Sequence, residues 1–229
     1  MLTIIITAAR EPATIGRAIE AFLQQELGQY ELLVVCPDRE TADAIQPYMH
    51  KNRRISVLRD PGRGKPAALN LAFQQAKGDI IILSDGDVHV AEGAVSALLA
   101  KFKNDVGAVC GRPVSTNDRS TMLGYWSHLL TDAGAHWRRM QGDFIECSGY
   151  LYAIRNVVKR IPADVLADDA YISHVIAERG YRIAYAPAAQ VYVKYPTTFA
   201  DWIAQKRRSA GGYLHIRKRF GAEIGRAHV

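Results

Sequence analysis

The chain has 229 residues, 48% hydrophobic and 23% charged, an ordinary globular composition that can bury a sizeable core and fits one large domain better than two small ones. The first apolar run, LTIIITAA, gives way at once to Arg10 and Glu11 and is too short and wrongly flanked for a signal peptide or membrane span; no later run reaches membrane length. The formal net charge of +6 lies almost wholly in the tail: from Asp201 onward seven basic residues (Lys206, Arg207, Arg208, Arg217, Lys218, Arg219, Arg226) face two acidic ones (Asp201, Glu223), a balance of +5.

In chain order, short β-rich runs alternate with helical patterns: TIIIT, the helix-like TIGRAIEAFLQQ, ELLVVC, RETADAIQPYMH and RISVL. Such alternation predicts parallel strands joined by crossover helices. After the loop RDPGRG comes KPAALNLAFQQA, with Leu69, Ala72, Phe73 and Ala76 at helical spacing and Pro66 suited to a first turn. DIIILS then reads as a fully buried strand, GAVSALLAKF as a helix and VGAVCG as a strand. The second half is less regular: a long aromatic-bearing helix over STMLGYWSHLLTDAGAHWRRM, a strand ECSGYLYAIR, a helix DDAYISHVIAERG, and short strands RIAYA and QVYVK. The expectation is one α/β domain over 1–229. A doubly wound, mostly parallel sheet with helices on both faces forms the first half (1–112). An α+β extension (113–200) completes one site, and a basic amphipathic tail (201–229) follows. Cys36, Cys110 and Cys147 are odd in number, far apart and set in apolar segments. They predict buried thiols in a reducing compartment, hence a cytoplasmic protein, with neither disulfides nor a zinc site.

In open parallel sheets ligands bind beyond the carboxyl ends of the strands, and the polar residues obey that rule. Arg10 and Glu11 follow the first strand, Asp38 the second, Arg59 and Asp60 the third, and Asp85 and Asp87 the buried fourth. Asp85 and Asp87 are one residue apart, so extended geometry points them the same way, with Gly86 letting the backbone bend. Two close carboxylates resist ionisation, a penalty that a hard cation such as magnesium or manganese removes. A solvated turn is the plainer account of Asp-Gly-Asp alone. His89 alternates with the two aspartates but reads as partly exposed. Trp126, Trp137 and Tyr125 read as core or as the wall of a groove.

IIITAAREPATIGRAIEAFL, GKPAALNLAFQQAKGDIIILSDGDV, CSGYLYAIR, LADDAYISHVIAERGYRIAYAP and QKRRS together resemble, in order and over nearly the whole chain, a glycosyltransferase of family 2 with the nucleotide-sugar-binding GT-A fold. The resemblance implies that Asp85 and Asp87 form an Asp-X-Asp metal motif, the first near the ribose and the second on a diphosphate-bound Mg2+ or Mn2+. It implies that Glu11 and Asp38 line the nucleoside pocket and that Lys65 lies near the nucleotide. Asp168-Asp169 aligns with the family's Glu-Asp motif, making Asp169 the general base; by its ordinary reading the pair caps a helix N-terminus. Trp202, Gln205 and Arg208 share a helix face and resemble the Gln-X-X-Arg-Trp motif near the acceptor and leaving diphosphate, with Ser209 in place of the tryptophan. That loss argues against processive polymer synthases. Family members commonly have Asn-Glu after the first strand and Asp-rich sequence after the second, where this chain has Arg10-Glu11 and Cys36-Pro37-Asp38. Gly149 is either a point of close approach for the sugar or a strand bulge.

The function so implied is inverting transfer of a sugar from a nucleoside-diphosphate sugar to a saccharide or polyprenyl-phosphate acceptor. Tyr213, Leu214, Ile216 and Phe220, mixed with Arg217, Lys218 and Arg219, suit an anionic membrane surface or a solvated basic helix. Nucleic acid is a poorer partner, because no base-reading fold accompanies the charge. The departures at Arg10, Cys36 and Ser209 leave open a module that binds nucleotide sugar or membrane without catalysis. An aspartate-based phosphatase fits less well, since its Asp-X-Asp belongs on the first strand.

Overall fold

The computed structural model describes residues 1–141 and 144–221; the expectations for Glu223 and Arg226 lie outside the described residues. Strand β1 (Leu2–Thr7) is buried at every position, as an apolar run can be when its sheet is covered on both faces. Helix α1 (Ile15–Leu23) provides part of one cover, burying Ile15, Ala18, Ile19 and Phe22 at helical spacing. Strand β2 (Tyr30–Cys36), helix α2 (Arg39–Lys51), strand β3 (Ile55–Arg59), helix α3 (Lys65–Gln75) and strand β4 (Ile80–Asp85) follow. β1 pairs in parallel with β2 and β4, and β2 in parallel with β3, so the β-α-β alternation read from the sequence is the architecture of this half.

The remaining elements are β5 (His89–Val90), α4 (Ala94–Leu99), β6 (Val106–Ser115), α5 (Met122–Met140), β7 (Leu151–Arg155), α6 (Asp168–Glu178), β8 (Arg182–Val193) and α7 (Phe199–Phe220). All strands join one sheet in the order β3-β2-β1-β4-β7-β6-β8-β5. β7 is antiparallel to both β4 and β6, while β6 and β8 run parallel. One sheet therefore crosses both halves of the chain, with β6 running through residue 112.

Two expected elements differ. The strand predicted over ECSGYLYAIR starts only at Leu151, and Glu146–Gly149 form an irregular lead-in. RIAYA and QVYVK are one continuous strand, β8, rather than two. Pro187 lies between them and cannot donate to a ladder; the sheet accommodates it with a register shift between the Cys110–Tyr185 and Arg112–Gln190 pairs.

The core lies on the two faces of the sheet, and alternate residues of one strand divide between them: Ile4 and Ile6 on one side, Ile5 on the other. Each such isoleucine, fully buried, stabilises the fold by about 1.5–3 kcal/mol. The tail belongs to this core. Ile216 is completely buried, and Tyr213 and Phe220 pack against the second cluster, so three of the four apolar residues expected to meet a membrane or solvent face inward and only Leu214 is exposed. The three cysteines are buried and free, as expected. Among the described residues, no helix is long and apolar enough to cross a membrane.

Candidate active site

A cleft of about 950 Å3 opens at the carboxyl ends of β1 to β4. Thr7, the last residue of β1, pairs in register with Asp85, the last residue of β4, and its hydroxyl donates to Asp85 Oδ1 at 3.1 Å. The chain then turns through Gly86 and Asp87. Gly86 has no positive φ, so backbone bending is not what requires it. A Cβ there would collide with the Glu11 carboxylate and lie 2.7 Å from Ala8 Cβ. The glycine makes room for Glu11.

Glu11, Asp85 and Asp87 form an acidic cluster short of positive charge. Burial, then the charges of Asp87 and Asp85, push the Glu11 carboxyl up to about 8; burial, then Asp85, raises Asp87. Glu11 Oε2 is buried without a hydrogen-bond partner. Such a cluster suits a hard divalent cation. Among the described residues no three acidic, histidine or cysteine side chains converge to enclose a metal by themselves. The protein would hold the ion with one or two carboxylates, and phosphate oxygens and water would complete its shell, as magnesium-type sites commonly require.

At the end of β2, Asp38 is the N-cap of α2. It accepts the Thr41 amide at 2.9 Å and, through its other oxygen, the Arg10 amide at 2.8 Å. Slight burial acts to raise this carboxyl, but those bonds outweigh it and hold it at about 2. Arg10 sits at φ 60, where a non-glycine residue is disfavoured by roughly 1–2 kcal/mol. Asparagine, common at this position in the family the sequence resembles, tolerates that region better, and the Asp38 bond helps to hold arginine in it.

The loop after β3 reaches α3 through Gly64, whose φ of 90 only glycine adopts freely. It delivers Lys65 as the first helical residue. Lys65 Nζ lies 2.6 Å from Asp85 Oδ1 and 3.7 Å from Asp168 Oδ2. Burial alone would lower this amine, but Asp168 and then Asp85 outweigh it and raise it.

Asp168 opens α6 but does not cap it: the N-cap is Ala167, with no side-chain cap bond. Its carboxylate is committed to the cleft and to Lys65 instead. Asp169 points elsewhere. Its Oδ1 accepts the Ala170 amide at 2.9 Å, and its Oδ2 would lie 3.1 Å from a Cβ at Gly149. Burial, then the neighbouring Asp168 charge, push Asp169 up to about 7.

Of the residues expected from sequence, Glu11, Asp38, Lys65, Asp85, Asp87, Asp168 and Arg208 line the cleft. Asp169 and Gly149 face each other beside it, at a close approach in a turn rather than at a strand bulge. Gln205 is half-buried on α7 and off the cleft wall; Trp202, on the same stripe, is buried, its ring 6.3 Å from that of Trp126. Tyr125 and Trp126 are exposed rather than core, and Trp137 is half-buried. His89 is exposed and stacks on Tyr192. Thr7 and Arg63, also on the wall, were missed. The available signals were a polar residue ending an otherwise apolar strand and a basic residue inside the glycine-rich loop RDPGRGK.

The family model for glycosyltransferase like family 2 matches residues 1–212. The chain belongs to this family. It is 28% identical over 244 residues to the probable glycosyltransferase YdaM of Bacillus subtilis, covering 97% of this chain and 57% of that protein. It is 26% identical over 230 residues to the poly-beta-1,6-N-acetyl-D-glucosamine synthase of Staphylococcus aureus, covering 93% of this chain and 54% of that one. The family 2 chain thus spans about half the length of the curated relatives it matches. In fold it resembles a mannosyltransferase from Pyrobaculum calidifontis solved with GDP-Man and Mn2+, with a TM-score of 0.77, 21% identity, and coverage of 99% of this chain and 65% of that one. GalNAc-T7, solved with UDP, GalNAc and Mn2+, superposes with a TM-score of 0.66 at 17% identity, over 95% of this chain and 47% of that one. These likenesses establish the GT-A fold expected from the sequence.

Proposed function

We propose that this family 2 chain is an inverting glycosyltransferase that moves a sugar from a nucleoside-diphosphate sugar to an acceptor hydroxyl or lipid phosphate. The observation that carries the reading is the convergence at one cleft of the Asp85-Gly86-Asp87 turn, Lys65 and the acidic start of α6, from segments far apart in sequence. Glu11 and Asp38 hold the nucleoside end. Asp85 and Asp87 would hold a divalent cation, whose bound charge stabilises the departing diphosphate; two neighbours in fold were solved with Mn2+, one together with GDP-Man and the other with UDP and GalNAc. Arg208 and Lys65 add positive charge on the same side. Asp169, with its raised proton affinity and its place against Gly149, takes the acceptor proton. Attack from that side, opposite the leaving group, inverts the anomeric carbon.

Asp169→Asn is expected to abolish release of nucleoside diphosphate in the presence of acceptor and manganese, while nucleotide binding by calorimetry stays within about threefold of the parent. Turnover retained in that variant would overturn the base assignment. A parent chain that binds nucleotide sugar but releases no diphosphate with any saccharide or polyprenyl-phosphate acceptor would be a binding module instead.

An anionic lipid surface is the partner we propose for the acceptor side, in keeping with a lipid-linked acceptor and a cytoplasmic site of action. The Tyr213–Phe220 end of the tail does not supply the docking face; the outer side of α5, with the first turns of α7, does. Met122, Tyr125, Leu129 and Leu130 are exposed there, and the Trp126–Trp202 contact joins them to Phe199 and Ile203 on α7. Cations border this apolar face: Lys206 lies 4.8 Å from the Trp202 ring centroid, and Arg207 is exposed beside it. That combination favours insertion among anionic headgroups.

A further inference from the structure

Lys65 makes contacts that a residue serving only to steady phosphates would not need. Its ammonium lies 2.6 Å from Asp85 Oδ1, shorter than the usual 2.7–2.9 Å of a charged N–H···O bond. That same oxygen already accepts the Thr7 hydroxyl at 3.1 Å, so both of its acceptor positions are taken. The ammonium also stands 3.7 Å from Asp168 Oδ2, across the cleft on α6. Its backbone is fixed at the first turn of α3, after Gly64 and before Pro66, and its four-carbon stem is the mobile part.

Building on the metal-dependent reading above, we infer that Lys65 is a stand-in cation: in the donor-free protein its ammonium occupies an Asp85 carboxylate oxygen that would otherwise be open to a divalent ion. A metal arriving alone competes with a bonded ammonium, which is left with Asp168 Oδ2, 3.7 Å away, as its anionic partner. A metal arriving with a nucleoside diphosphate brings phosphate oxygens to which Lys65 can turn. The site therefore discriminates against free metal and accepts metal and diphosphate as a pair. The coupling is reciprocal: whatever factor the diphosphate adds to metal affinity, the metal adds to diphosphate affinity.

Manganese binding can be read directly from the paramagnetic resonance signal of the free ion, with no turnover required. It would be measured for the parent, Lys65→Met, Lys65→Gln and Arg208→Met, each alone and with saturating GDP or UDP. Lys65→Met and Lys65→Gln are expected to bind manganese alone at least tenfold more tightly than the parent, and to gain at least tenfold less from the diphosphate. Arg208→Met removes a cation from the same wall but not the one bonded to Asp85, and is expected to keep the parent's affinity for manganese alone. Circular dichroism and melting curves establish which variants fold, and either folded Lys65 variant decides the question. Unchanged or weaker manganese binding in that variant, with a parent that binds manganese and diphosphate together, overturns the stand-in role alone. An equal gain in Arg208→Met reduces the effect to general charge and also overturns it. A parent that binds no manganese even with GDP or UDP removes the metal-dependent reading and the Lys65 role with it.

Discussion

The carboxyl of Glu11 shows how position rather than residue type sets the chemistry of this cleft. Exposed, it would lose its proton near pH 4.5; folded, it keeps it to about pH 8, chiefly because burial disfavours its charge and then because Asp87 and Asp85 repel it. The native state therefore holds a proton there that the unfolded chain has released, and stability from this group falls as pH rises from about 4.5 to 8. Glu11→Gln keeps the shape and removes the titration. Its melting temperature relative to the parent is expected to rise progressively between pH 5 and pH 8 in metal-free buffer, and a constant difference across that range would refute the assignment. The acid itself was visible in the sequence, since a charge placed just beyond an apolar strand has a small choice of roles. Its intimacy with Gly86, seventy-five positions away, was not: no local pattern states which side chain will need the space that a glycine leaves. The same limit hid the division of labour at Asp168 and Asp169. Adjacent helical residues diverge, but their actual partners, Lys65 and Gly149, come from other elements.

At the level of elements, periodicity was legible wherever a segment faces one environment. The apolar runs of β1 and β4 and the three-and-four spacing in α1 and α3 followed directly, because burial imposes those periods. Helix α7 was legible as a helix and not as to which side faces in, since aromatic and basic residues alternate along it and either face could have been buried. Its start is fixed by Thr198, which accepts the Asp201 amide at 3.2 Å and donates to the Asp201 carboxylate at 2.6 Å. This cap sets where a helix begins that seats Trp202 in the core and carries Arg208 to the cleft. Thr198→Ala is expected to cost about 1 kcal/mol and, for a domain of this size, to lower the melting temperature by roughly 2–4 °C. Nucleotide affinity should change little, because Trp202, Ile216 and the packed Tyr213 still hold the helix in place. A large loss of affinity with an unchanged melting point would mean that the cap positions Arg208 rather than stabilising the fold.

Taken whole, the molecule buries small or polar residues where helix α5 meets the sheet and presents large apolar ones outward. Gly124, Ser127 and Ala135 are buried on its inner side, with Leu123 as the sole large apolar residue, and Ser115 and Ser127 share a buried hydrogen bond of 2.6 Å beneath it. Met122, Tyr125, Leu129, Leu130 and Met140 are between 43% and 71% exposed. A helix that serves only to cover a sheet carries the opposite pattern. Sequence periodicity could not reveal the inversion, because it reports an apolar stripe without saying whether core or lipid receives it. If an anionic membrane receives it here, Leu129→Lys combined with Leu130→Lys should reduce co-sedimentation with vesicles containing anionic phospholipid at least fivefold. Neither the melting temperature nor nucleotide binding should move appreciably, since both side chains already face solvent and substitutions at such sites usually stay within about 0.5 kcal/mol. The added positive charge makes the test stringent: were attraction to the surface purely electrostatic, two more lysines would strengthen it. Weaker binding would identify the buried apolar area as the dominant contribution, whereas unchanged or tighter binding would remove α5 as the docking face.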